Sequence, residues 1–316
     1  MKLNEISGRV PAGAETYMPE MTRKGVEIFM KSHPLNPFLE FYDLIGDAGY
    51  VQRDSDSSGG VGRAKGTDFT AGTEAGDWGT PALKIFGDSK QIDQAEQRRG
   101  KNLASLADRM LVSLAMYQAW NFAEKFIHGT VSTSMWDGIA ALCIAGQKNP
   151  IATNGAVIPG GNSDANRALQ QAFFEALDVT IGMVVGGAEA ILVNSKLHSR
   201  MTNVYKEAFT VPENQNQFGV RIPYYNGVPV IPMGKNSSGT EILPFTETQG
   251  TSSGVCSSIY VVAFGEEHSV SVGSNTGFNA YLSKVSEKYR LTFEGDFVPT
   301  LFHNKSIAAL QGLKLV

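Results

Sequence analysis

Ile92 to His128 reads IDQAEQRRGKNLASLADRMLVSLAMYQAWNFAEKFIH. Leu103, Leu106, Ala107, Met110, Leu114 and Tyr117 recur at three- and four-residue steps, Phe122, Phe126 and Ile127 continue the apolar surface, and no proline interrupts. The stretch therefore predicts one helix, and about 35 residues at 1.5 Å each would make a rod of about 50 Å. Globular helices average about 11 to 12 residues, so a helix of this length should act as a spine on which other elements pack. A solitary coiled coil is the rival reading, but the apolar surface is wider than two positions per heptad.

Downstream of the spine the chain breaks into shorter pieces. Met135 to Cys143 is a short apolar segment, and Gly146 to Asp164 is rich in Gly, Asn and Pro. A helix is expected from about Asn166 to Val179, carrying Leu169, Phe173, Phe174 and Leu177, with Ser163 or Asp164 as its cap. Ala190 to Asn194 (AILVN) reads as a buried strand, followed by a helix from Ser195 to Ala208. Gly219 to Met233 (GVRIPYYNGVPVIPM) predicts a hairpin turning at Asn226-Gly227. Gly234 to Gly254 is a Ser/Thr/Gly loop, and strands are expected at Ser258 to Phe264, Ser269 to Val272, Lys288 to Phe293 and Ser306 to Leu310. Helices and strands mix without a regular βαβ rhythm, which favours the α+β class.

Upstream, two segments lack the residues for a core. From Met1 to about Ser32, Lys2, Arg9, Arg23, Lys24 and Lys31 face Glu5, Glu15, Glu20 and Glu27, with few large apolar residues; this predicts an arm that needs a partner surface to become ordered. Phe38, Leu39, Phe41, Tyr42, Leu44 and Ile45 suggest a short helix or turn beside Pro34 and Pro37. Tyr50 to Asp88 is dominated by Gly and Ser, with Arg53, Arg63, Lys65 and Lys84 interspersed. Loops this long inside a compact domain are uncommon, and an extended hairpin lying on something else is the expected exception.

The 316 residues carry 27 Lys and Arg against 31 Asp and Glu, a formal charge of −4, which disfavours a polyanion-binding protein. At about 150 residues per domain, the length suggests roughly two domains. Cys143 and Cys256 lie far apart and cannot form a disulfide framework or a Cys-based zinc site; two free buried thiols are expected, with a single disulfide left open. The first residues lack an apolar signal core and no window of 18 apolar residues occurs, so the chain is expected to be cytosolic when made.

Catalytic constellations do not converge. Gly250-Thr251-Ser252-Ser253-Gly254 fits G-x-S-x-G, with Asp296 and His303 following in the order of an α/β-hydrolase triad, but the context is inverted: a polar loop precedes Ser252 and a β-like run follows it. Gly60, Gly62 and Gly66 fall one position off a dinucleotide fingerprint, and neither Gly100-Lys101 nor Gly234-Lys235 completes a P-loop. The five histidines are dispersed, and His268 beside Glu266 and Glu267 is better read as hydrogen-bonded or solvated than as a metal ligand. Arg221, Tyr224 and Tyr225 could stack nucleic-acid bases, yet alternate strand residues face opposite ways and no basic groove accompanies them. Neither a cofactor nor a metal is expected. An arm, a Gly-rich extension and an overlong helix suit a subunit that completes its packing on neighbours.

The order of these parts resembles the major capsid protein of tailed bacteriophages, the Hong Kong 97-type fold that encapsulin nanocompartments also use. The resemblance is carried by AILVNSKLHSRMTNVYKEA from Ala190, FGVRIPYYNGVPVIPM from Phe218, SIYVVAFGEEHSVSVG from Ser258 and KYRLTFEGDFVPTLFHNKSIAALQGLK from Lys288. Within them Gly227, Val228, Pro229 and Val230 match a G-x-P-V hairpin, and Trp136-Asp137-Gly138-Ile139 matches the aromatic-x-Gly-Leu/Ile turn after the spine.

The resemblance implies an N-terminal arm at 1–46, an extended loop at 47–88, a peripheral domain at 89–163 and 265–316 with the spine at 92–128, and an axial domain at 164–264. It further implies hexamers and pentamers in an icosahedral shell located in the virion and assembled in the host cytoplasm. Expected partners are copies of the chain, a separate scaffolding protein, a portal, a decoration protein and packaged double-stranded DNA without sequence specificity; no membrane is expected. Because the sequence begins at Met1 without an acidic or coiled-coil prodomain, no N-terminal processing is expected. Arg53, Arg63, Lys65, Lys84, Trp78 and Trp136 are the candidate contacts between subunits, and Thr210 to Gln217 with Gly234 to Gly254 are candidates for the capsomer centre. Lys65 is the single lysine in the Gly-rich centre, the place where some members form a covalent cross-link, although no partner carboxylate is evident.

Overall fold

Ala190–Val193, strand β7, is an unbroken apolar run because both of its faces are covered: Ala190 and Leu192 enter one core, Ile191 and Val193 a second. The computed structural model describes residues 18–46, 51–53, 65, 77–99, 103–161, 163–204, 209–210, 222–265 and 269–315. β7 lies inside a nine-stranded sheet, parallel to β10 (Val228–Pro232) and antiparallel to β12 (Ser252–Val262). β12 in turn pairs with β15 (Ile307–Lys314) and with the short β11 (Glu247–Gln249). β15 carries the parallel pieces β5 (Lys148–Pro150) and β6 (Ala156–Val157). At the far side β10 pairs with β9 (Tyr224–Tyr225), and β9 with β8 (Phe209–Thr210). The β9–β10 turn is the Asn226-Gly227 hairpin expected from sequence, with φ of 49° and 83° at the two positions.

Helices α5 (Asp164–Gly182) and α6 (Ser195–Val204), which follow the single-turn α4 (Ile139–Leu142) in the chain, cover one face of this sheet, placing Phe173, Leu177, Leu197 and Met201 against Ile191, Val193, Val230, Ile259 and Val261. Ser163 caps α5 as expected, its Oγ accepting the Asn166 amide at 3.3 Å.

A second sheet has the order β1 (Phe41–Asp43), β13 (Val270–Val285), β14 (Lys288–Leu301), β4 (Lys84–Asp93). Its long β13–β14 hairpin packs on α3 (Leu103–His128), the spine, and on α1 (Pro19–Ser32). The core between them is aromatic: Phe29 lies 5.6 Å from Phe122 and 4.6 Å from Phe278, Phe122 lies 5.7 Å from Phe297 and 5.6 Å from Trp136, and Phe278 stacks on Phe293 at 4.7 Å.

Three expectations are corrected. Pro19–Ser32 needs no partner subunit to order: Pro19 starts the helix, and Thr22, Val26 and Phe29, one face at i, i+4 and i+7, bury themselves on the subunit's own core. The spine is shorter than 92–128. It has 26 residues, about 39 Å, because Ile92 and Asp93 finish β4 and Gln94–Arg98 forms a separate short helix, α2. Pairing of Ile92 with Tyr289 buries the isoleucine, which outweighs helical continuation. The short helix or turn expected beside Pro34 and Pro37 is present as a 3₁₀ turn at Asn36–Phe38, and the apolar run continues into β1. The last third has longer strands than expected, β13 and β14 spanning 16 and 14 residues. Both cysteines are free and buried, and burial pushes the Cys143 thiol up to about 11.

Candidate assembly surface and the joint behind it

The ends of the Gly-rich extension meet. β2 (Val51–Arg53) and β3 (Asp77–Gly79) form an antiparallel ribbon in which Val51 faces Gly79, Gln52 faces Trp78 and Arg53 faces Asp77. The residues between them, Arg63 included, lie outside the described residues except Lys65, which is exposed. From Gly79 the chain runs into β4, whose alternate residues separate cleanly: Lys84 and Phe86 turn toward the core side, and Ile85 stands outward, 72% exposed.

Beside this ribbon lies a cleft of about 180 Å³, lined by Val51, Gly79, Pro81, Lys84, Trp136 and Leu142 among others. The structure thus brings two of the proposed contact residues, Lys84 and Trp136, to one place. Lys84 Nζ donates to the Thr133 carbonyl at 3.2 Å, inside its own subunit. Trp136 is 2% exposed, packs on Phe86 and Phe122, and donates from Nε1 to the Lys125 carbonyl at 3.3 Å. Its ring therefore belongs to the subunit interior. Arg53 and Trp78 stand on the ribbon itself.

A joint connects the two sheets along the spine. Residues 234–243, part of the segment expected at a capsomer centre, lie along the spine of their own subunit. Asn121, Glu124 and His128 share one face of α3 by their spacing of three and four. Ser237 Oγ donates to Asn121 Oδ1 at 2.5 Å, Asn236 Nδ2 donates to Glu124 Oε2 at 3.0 Å, and His128 Nε2 lies 2.7 Å from the Ile242 carbonyl. On the other side Asn194 Nδ2 donates to the Leu243 carbonyl at 2.5 Å, tying the loop to β7. The N-terminal elements join through His33, whose Nε2 lies 2.9 Å from the Met233 carbonyl. Burial holds His33 down at about 4 and also lowers His128, against the raising influence of their carbonyl bonds. Sequence reading passed over both histidines because they are distant from each other in the chain; a buried neutral histidine has no spacing signature.

Residues 211–217, the other expected centre loop, lie outside the described residues, as do Glu266, Glu267 and His268. The G-x-S-x-G context is that of a strand: Ser252 opens β12, and its Oγ donates to the Asn154 carbonyl at 2.7 Å while accepting from Lys314 Nζ at 2.8 Å. Asp296 accepts from Thr276 Oγ1, and His303 Nδ1 accepts the Lys305 amide at 3.0 Å. Each member of that trio is engaged by other groups. Among the described residues no set of three metal-ligating side chains comes together, and no helix is long and apolar enough to cross a membrane.

No protein-family model and no curated protein matches the chain. Solved structures do. The holo-SrpI encapsulin complex from Synechococcus elongatus PCC 7942 is similar with a TM-score of 0.61 at 10% identity, over 90% of this chain and 89% of that one. The capsid of an empty GTA particle gives 0.56 at 12% identity, over 89% and 90%. Mycobacterium phage Bobi gives 0.51 at 11% identity, over 98% and 93%. These matches run through nearly the whole of each chain, and the proteins matched are shell subunits of capsids and an encapsulin. With its spine helix, long β13–β14 hairpin, extended-loop ribbon and nine-stranded sheet, the chain has the Hong Kong 97-type capsid fold.

Proposed function

We propose that this chain is the major capsid protein of a tailed double-stranded DNA bacteriophage, closing as hexamers and pentamers into the icosahedral head. The observation that carries the proposal is coverage: similarity to capsid structures extends over about nine-tenths of both chains. In this reading 1–46 is the arm, 47–88 the extended loop, 89–163 with 265–316 the peripheral domain and 164–264 the axial domain. The loop reaches neighbours, while the spine, the hairpin and the α1 and β1 parts of the arm stay with their own subunit. Many modest contacts, each of only a few kcal/mol after association costs, hold a subunit firmly when engaged together yet permit correction during growth.

Scaffolding protein, portal and decoration protein complete the proposed partners, with the genome held by geometry. A formal charge of −4 supports only weak, salt-sensitive contact with DNA.

A second reading, an encapsulin-like shell around protein cargo, is favoured by the TM-score of 0.61 to an encapsulin complex, against 0.56 and 0.51 for the capsids above. Expression of the chain alone and with its neighbouring gene products separates the two. The phage reading expects regular shells only with scaffold present; closed empty shells from the chain alone, capturing a protein cargo, would replace it with the encapsulin reading.

A further inference from the structure

His33 stands where the end of α1, the spine and loop 232–239 meet, beside an apolar groove of about 530 Å³ lined by Pro34, Met116, Tyr117, Trp120 and Met233. Its ring is 3% exposed and both nitrogens are used. The Leu35 amide donates to Nδ1 at 3.2 Å, so Nδ1 carries the lone pair; the proton sits on Nε2, which donates to the Met233 carbonyl at 2.9 Å. This arrangement exists only for the neutral ring. An imidazolium has no acceptor, so a proton taken up from solvent at Nδ1 would point at the Leu35 N–H and leave that buried amide without its bond. Among the described residues no carboxylate faces the ring to compensate: the spine presents Tyr117, the facing loop presents Lys235, and on its own helix Lys31 is paired with Glu27 at 2.5 Å. The same turn is held by Asn36 Nδ2 donating to the Phe29 carbonyl at 2.8 Å and by Trp120 Nε1 donating to the Ser32 carbonyl at 2.9 Å.

We propose that His33 is an acid-released latch that fastens the α1 end to loop 232–239, closed with the ring neutral and opened when Nδ1 takes up a proton. The inference rests on the fold of the single chain and is independent of which cargo a shell would hold. Unlatching frees the joint on its α1 side, while the contacts of Asn121, Glu124 and His128 keep the loop on the spine.

The sign follows from linkage. A histidine whose folded pKa is held near 4 stabilises the closed form fully above the open-state value of about 6.5, and that stability is lost as pH falls below it. Hydrogen exchange on the full chain, read on peptides spanning 33–39 and 232–239 and corrected for intrinsic pH dependence, should show local opening increase about thirtyfold from pH 8 to pH 5. His33→Gln keeps a donor for the Met233 carbonyl but takes up no proton, so its opening should be flat across that range. Equal pH dependence in both proteins, or none in either, would overturn the latch. Should the variant not fold, the ring resonances of His33 in the unaltered chain decide alone: a neutral ring persisting at pH 5.5 supports the latch, and titration near 6.5 removes it.

Discussion

The amide of Gly138 donates to the carbonyl of Gly129 at 2.9 Å, bringing two backbones together without side chains between them. A Cβ on Gly138 would lie 2.4 Å from the Ile127 carbonyl oxygen and 2.6 Å from the Gly129 nitrogen. This contact ends the spine and starts the turn that carries Trp136 under Phe122, so the Trp-Asp-Gly-Ile sequence is a packing device. Gly138→Ala should destabilise the subunit by about 1–3 kcal/mol, the usual cost of overpacking, visible as a lower denaturation midpoint with an unchanged slope. An unaltered midpoint would mean that the two strands of backbone do not approach as closely as described.

Phe29 tests whether α1 belongs to the folded subunit. It is fully buried between Phe122 and Phe278, so Phe29→Ala removes a ring from the centre of the larger core and should cost about 3–5 kcal/mol. If α1 were an arm ordered only by a neighbour, the isolated subunit would lose almost nothing. Equilibrium unfolding by urea separates the two results.

Glu247 is pushed above the usual carboxylate range by burial, partly offset by a hydrogen bond from Ser258. A folded value above 4.5 means that the native state binds the proton more tightly than the unfolded chain, so stability falls as pH rises from 4.5 through the folded value. Glu247→Gln should therefore stabilise the subunit at pH 7, with the gain disappearing below pH 4.5. Thermal melts at the two pH values read this directly; a loss of stability at pH 7 would show that the charge is compensated.

Arg63 lies in the Gly-rich segment, beyond the β2–β3 ribbon whose ends are described. Its proposed role is to meet a carboxylate on an adjoining subunit, so Arg63→Glu should lower particle yield while leaving the melting temperature of the unassembled subunit within about 1 °C, a change of less than about 0.5 kcal/mol. Unchanged particle yield would return the arginine to a solubilising role.

The parts legible in sequence were those with a periodic or turn-chemical signature. The 3.6-residue spacing of Leu103 to Phe126, the apolar run at Ala190, the Asn226-Gly227 turn and the Ser163 cap all reappear in the structure. What escaped lacked such a signature. The sequence of β4 alternates only weakly between apolar and polar residues, since Lys84, Asp88 and Lys90 lie among them, and the strand is held by backbone pairing to β14. α1 buries Thr22, Gly25, Val26 and Phe29, with Met21, Ile28 and Met30 partly covered, amid charged neighbours, a pattern diluted enough to resemble a solvated arm. The joint was invisible because its members, His33, Asn121, Glu124, His128 and Met233, converge only after the two sheets have packed.

Electron microscopy of the purified 34.0 kDa chain, negatively stained after size-exclusion chromatography with and without its neighbouring gene products, tests the central claim most directly. The account predicts closed shells or six-membered rings. A chain that stays a stable monomer under every such condition would contradict it.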